Sequence, residues 1–106
     1  MPPATATSPG AWIVAAGPGA PGAAEVLDGL RTPEARLLLT GAGLAWLAKP
    51  EALARLRATR ADLALCSQSA RAQGLSAAST PDGVRWSSVA TWMAELEGRA
   101  FGWITP

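Results

Sequence analysis

Histidine is missing from this chain, and cysteine occurs once, at Cys66. Without an imidazole, a Ser-His-Asp triad, a Cys-His hydrolase pair and any histidine-containing metal site are excluded within one subunit. A single thiol excludes an intrachain disulfide, a CxxC redox motif and a structural zinc cluster, so neither a metal nor a cofactor is expected. It also fits a reducing, cytoplasmic setting better than a secreted one. Charge is scarce too. Charged residues make up 16% of the chain, nine basic against eight acidic, for a net charge of +1. Charges this few and this scattered leave no electrostatic footprint for nucleic acid. The first charged residue is Glu25, so residues 1–10 lack the basic segment that opens a signal peptide. The apolar segment 11–16 is too short to span a bilayer. A soluble protein acting away from membranes is expected.

What remains is apolar. Hydrophobic residues are 49% of 106, a length that suits one domain with a modest core. Residues 1–10, made of Pro, Ala, Thr, Ser and Gly after the first Met, read as a flexible tail, leaving 11–106 as the domain. Five tryptophans on a weakly charged chain suggest apolar area covered by another subunit. Of these, Trp92 is expected in the core and Trp12 and Trp103 on strands, leaving Trp46 and Trp86 as the groove or interface candidates.

The chain is organised around residues 61–75. Leu63, Ala64 and Leu65 form an apolar run without polar alternation, as in a strand covered on both faces. Cys66 follows, then a short helix with Ser67 as its N-cap and Gly74 as its C′ residue. Cys66 is thereby expected at the carboxyl end of a strand and the amino end of a helix, where doubly wound proteins place their chemistry. Backbone N–H groups and the helix dipole there favour a thiolate, and Arg71 lies about one turn further on. The plainer reading of Cys66 is a small buried hydrophobe.

Around this centre the elements alternate. Strands are expected at 12–16, 35–40, 84–86 and 100–104. Helices are expected at 23–30, with Val26, Leu27 and Leu30 inward and Arg31-Thr32-Pro33 as the stop; as a turn at 44–47; and at 50–58, with Leu53 and Leu56 inward. Gly41 and Gly43 free the backbone ahead of the 44–47 turn. Pro81-Asp82-Gly83 is a turn, and Ser87 or Ser88 caps a helix in which Val89, Trp92, Met93 and Leu96 share a face. The pattern β-α-β-α-β-α-β-α-β calls for an α/β fold, a five-stranded parallel sheet with helices on both faces. Its strand order does not follow from the pattern.

Gly17-Pro18-Gly19-Ala20-Pro21-Gly22 matches G-x-G-x-x-G between a strand and a helix. Two prolines remove N–H donors that a phosphate cradle needs. The acidic residue wanted about twenty positions on is also absent, because Leu39-Thr40-Gly41 stands there. A rigid connecting loop is the better reading than a nucleotide site.

With Cys66, Arg71 and Gly74 in this arrangement, the Val84 strand, Ser87-Ser88-Val89 opening an amphipathic helix and a hydrophobic last strand, the chain resembles the DsrE/DsrF-like (TusD-like) sulfur relay family over residues 12–104. The resemblance implies a three-layer α/β/α sandwich (DsrE-like) and assembly into homo- or hetero-oligomers. It implies that Cys66 accepts a sulfane sulfur as persulfide and passes it between donor and acceptor proteins, with Ser67, Gln68 and Arg71 stabilising the sulfur anion. Gly41, Gly43, Trp46 and Trp86 would form the groove or interface. The first helix is shorter and richer in proline than the family's usual one. Some members of that family lack a working cysteine, so a sulfurtransferase and a non-catalytic oligomeric subunit of the same fold both stand.

Overall fold

The computed structural model describes residues 10–30 and 34–106. The expected tail, apart from Gly10, and the helix stop at Arg31-Thr32-Pro33 lie outside the described residues. Five strands, β1 (Ala11–Val14), β2 (Arg36–Leu39), β3 (Asp62–Cys66), β4 (Val84–Ser87) and β5 (Gly102–Ile104), form one parallel sheet in the order β4-β3-β2-β1-β5. Between them run α1 (Ala23–Asp28), α2 (Pro50–Ala58), α3 (Ser67–Ala72) and α4 (Val89–Glu95), with a 3₁₀ segment at Gly41–Leu47 and a 3₁₀ turn at Ala77–Ser79. The helix expected at 23–30 ends at Asp28, although Leu27 and Leu30 are buried as its pattern requires. None of the described helices is long and apolar enough to cross a membrane.

The strand order explains the layers. From β1 to β4 the chain steps across the sheet in one direction, and right-handed crossovers then put α1, α2 and α3 on one face. The step from β4 back past β1 to β5 runs the opposite way, so α4 lands on the other face. Two cores result. Val14, Leu37, Leu39, Leu63, Leu65 and Ile104 pack with Leu27, Trp46 and Leu56 on the first face. Ile13, Leu38 and Ala64 pack with Trp92 and Leu96 on the second. The alternation along each strand assigns the faces, so β1 to β3 are covered on both sides without any polar run.

Three expectations about side chains are corrected here. Trp46 is no interface residue: it is fully buried, and its Nε1 donates to the Ala16 carbonyl at 2.9 Å. The 3₁₀ segment carries it beneath the sheet. Trp103, expected to be shielded on its strand, is 51% exposed, because β5 is an edge strand and α4 does not reach over it. Met93 shares the predicted apolar face of α4 yet is 39% exposed, since the helix meets the sheet along the narrower line of Trp92 and Leu96.

The second face also carries charge. Arg36 and Asp62 are register partners at the starts of β2 and β3, and Arg85 stands beside Ala64 on β4. Asp62 Oδ2 lies 2.7 Å from Arg85 Nη2 and 3.3 Å from Arg36 Nη2. Glu95, in the last turn of α4, pairs with Arg36 and with Arg85. The four groups tie the end of α4 to three strands. The Arg85 hydrogen bond holds the Asp62 carboxyl below its usual range, and the Arg36 hydrogen bond does the same for Glu95.

Both carboxylates are depressed in the fold, so their contribution is present above the ordinary carboxylate range and is lost as pH falls through the lower folded values. The melting-temperature gap between the protein and Asp62→Asn should be widest near neutrality and shrink below about pH 4. A gap that does not change with pH would contradict the pairing. The two buried tryptophans should also separate. Trp92 Nε1 is buried without a partner, whereas Trp46 Nε1 is bonded. Trp46→Phe strands the Ala16 carbonyl and should cost about 2–4 kcal/mol in urea denaturation. Trp92→Phe removes an unsatisfied donor and should cost at least about 1 kcal/mol less.

Candidate functional site

β3 ends on Cys66, and α3 begins at the next residue. The thiol is therefore at the strand-to-helix junction expected from the sequence, and the residue is 6% exposed. The helix closes as its glycine predicts. Gly74 has φ +78°, Leu75 N–H bonds to the Ala70 carbonyl at 2.9 Å and Gly74 N–H to that of Arg71 at 3.1 Å, a Schellman ending.

Cys66 occupies the last position of a row across the carboxyl edge of the sheet. Ser87 is its register partner on β4, and Thr40 follows Leu39, the partner of Leu65, on β2. Thr40 is held in place from three sides. Its N–H bonds to the Val14 carbonyl at 3.0 Å, its carbonyl accepts Gly43 N–H at 2.8 Å, and its hydroxyl meets Ser69 Oγ at 3.1 Å. Ser69 Oγ also accepts Gly41 N–H at 3.0 Å, and Gln73 Nε2 donates to the Gly41 carbonyl at 2.8 Å. The loop after β2 is thus fastened onto α3 directly beside the thiol.

Burial pushes the Cys66 thiol up, but donors around the sulfur act against it. The backbone N–H and hydroxyl of Ser69, the Thr40 hydroxyl and the Gln68 backbone N–H all favour the anion, and together they hold the thiol below its ordinary value. Cys66 is itself the N-cap of α3, and no side-chain capping hydrogen bond closes from it.

The sequence candidates are placed as follows. Gln68 acts through its backbone N–H. Ser67 and Arg71 are not among the groups that shift the thiol; they line a neighbouring cleft of about 410 Å³, together with Trp86. Trp86 donates its Nε1 to Thr80 Oγ1 at 2.8 Å. Gly41 and Gly43 shape the Thr40 loop. Trp46 lies in the core beneath it. The G-x-G-x-x-G loop closes on itself, with Ala20 N–H on the Gly17 carbonyl at 3.1 Å, and Gly17 packs near the Ala42 carbonyl. Among the described residues, no group of three or more acidic, cysteine or histidine side chains stands where it could hold a metal ion.

Thr40 and Ser69 are the groups beside the thiol that sequence reasoning missed. A serine three positions beyond a strand-ending cysteine falls where a helix's first turn meets its cap, and that spacing is the available signal. Thr40 carried none, because its neighbourhood depends on strand order. Neither the protein-family models nor the curated proteins compared with this chain give a match.

The arrangement favours the thiolate form of Cys66. Alkylation by iodoacetamide should show a midpoint below the roughly 8.5 of a free thiol. Ser69→Ala should move that midpoint upward and slow the reaction at pH 7 roughly three- to tenfold. A midpoint at or above that of a free thiol would remove the case for an activated sulfur.

Proposed function

We propose that this protein is a persulfide carrier or sulfurtransferase in which Cys66 accepts a sulfane sulfur and passes it on. The observation that carries the reading is the ring of donors from Ser69, Thr40 and Gln68 that depresses the thiol at the end of β3. A thiolate there attacks the terminal sulfur of a persulfide donor. The Cys66 Sγ–S bond forms, the donor's S–S bond breaks, and the donor leaves as a thiolate with the electron pair. No proton has to move, which suits a chain without histidine. The same donors face the Cys66 persulfide anion. The likeness to the DsrE/DsrF-like family supports the reading, with donor and acceptor proteins as partners in a reducing, cytoplasmic compartment.

A second reading, a non-catalytic oligomeric subunit of the same fold, is favoured by one observation. Two large apolar side chains, Trp103 on the edge strand and Met93 on α4, are exposed.

Incubation with inorganic polysulfide, followed by intact-mass measurement, distinguishes the two. The carrier gains one sulfur atom on Cys66, and Cys66→Ser keeps the fold while losing the gain and any onward transfer. A native thiol that stays unmodified leaves the second reading alone.

A further inference from the structure

The two edges of the sheet are finished differently. β4 forms one edge and carries Arg85, a charge of the kind that keeps a second strand off an edge. β5 forms the other, and no charged residue occurs in 100–106. Ile104 turns its carbonyl towards β1, where it accepts Ala15 N–H at 2.8 Å. Backbone groups alternate in side along a strand, so the N–H and carbonyl of Trp103 turn the other way, to the open edge. Among the described residues no backbone group pairs with them. The rim around these groups is aromatic on both faces. Trp103 stands 51% exposed on one, and on the other the Trp12 ring fills the place of a Cβ at Gly102.

We infer that the open edge of β5 is the docking surface for a second copy of this chain, the two β5 strands pairing antiparallel about a two-fold axis at Trp103 to make one continuous sheet. Such an edge is self-complementary, as a two-fold contact requires. Trp103 N–H of each copy donates to the Trp103 carbonyl of the other, and the two indoles stand opposite each other on one face as an aromatic cross-strand pair. Charge complementarity favours this register. Arg99 lies four residues from the axis in each copy, so the two arginine positions are about 27 Å apart and do not repel. The contact is small. One half-exposed indole and a short ladder per copy fall below the roughly 800 Å² a side of a stable interface, so the dimer is weak, with Kd about 100 µM. β2 and β1 separate β5 from Cys66 at the end of β3, so the inference is independent of the role proposed for the thiol.

Sedimentation equilibrium of the full chain from about 10 µM to about 1 mM should show a mass rising from monomer towards dimer, with no weakening at high salt. Amide hydrogen exchange at Trp103 should slow about fourfold over the same range, as its open-edge N–H becomes paired. Trp103→Lys sets two ammonium groups opposite each other and should hold the chain monomeric at about 1 mM. Met93→Lys places the same charge on the other large exposed apolar side chain and should dimerise as the wild type does. The exchange measurement needs no variant, so it decides the matter even if Trp103→Lys does not fold. A wild type that stays monomeric at about 1 mM overturns the inference. So does a Trp103→Lys chain that still dimerises, a loss of association in Met93→Lys, or a Trp103 N–H already protected in the dilute monomer by another segment of the same chain. Sulfur loading of Cys66 is read separately and stands or falls without reference to the dimer.

Discussion

The close approach of Gly43 to the end of β1 sets the geometry on which the site depends. A Cβ on Gly43 would lie 1.9 Å from the Val14 carbonyl oxygen and 2.8 Å from its carbon. Both are backbone atoms at the carboxyl end of β1, where the Val14 carbonyl already accepts Thr40 N–H, and cannot give way, so only glycine fits. Through that contact the 3₁₀ segment rests on the carboxyl end of the sheet instead of arching over it. Two consequences follow from the same contact. Trp46 is delivered into the core against the Ala16 carbonyl, and Thr40 is held at the edge where its hydroxyl reaches Ser69 and the Cys66 sulfur. Packing and chemistry at this end of the sheet share one cause.

What was legible in the sequence follows from how local each signal is. Apolar runs such as Leu37-Leu38-Leu39 and Leu63-Ala64-Leu65 announce buried parallel strands by themselves, and Cys66 with Gly74 brackets a helix. The three-layer α/β/α sandwich was therefore readable, but not its strand order, because the alternation of strands and helices leaves the direction of each crossover open. Everything that depends on order was hidden with it. Arg36, Asp62, Arg85 and Glu95 each look like solvated charges in the sequence; they become a cluster only when β2, β3 and β4 are set side by side and α4 crosses the opposite face. Trp46 and Trp103 exchange their expected places for the same reason. One sits after a glycine-rich turn whose destination is tertiary, and the other sits on a strand that happens to be an edge.

The second face of the sheet is held differently from the first. Three helices and a 3₁₀ segment cover the first face, whereas α4 alone covers the second. A seven-residue helix has little intrinsic stability, so its attachment must come from tertiary contacts. Those contacts are spread along it: Ser88 Oγ accepts Thr91 N–H at 3.1 Å at one end, Trp92 and Leu96 fill the middle, and Glu95 joins the arginines at the other end. Arg85 belongs both to that ionic tie and to the cleft lined by Ser67, Arg71 and Trp86, so the charges that fasten α4 also compensate a cation in that cleft.

The way the thiol is activated fits the absence of histidine. A neighbouring cation would lower a thiol's pKa by a Coulomb attraction that salt weakens and that an incoming anion would partly cancel. Here the lowering comes instead from neutral N–H and O–H donors of Ser69, Thr40 and Gln68, whose effect is short-ranged. Arg71, which sequence reasoning assigned to the thiolate, stands apart from it in the cleft. The thiol is lowered without a permanent counter-ion, and the Arg71 guanidinium makes no hydrogen bond or ion pair among the described residues. In a chain without histidine, hydrogen-bond donors close to the sulfur are the means left for favouring a thiolate without a neighbouring cation.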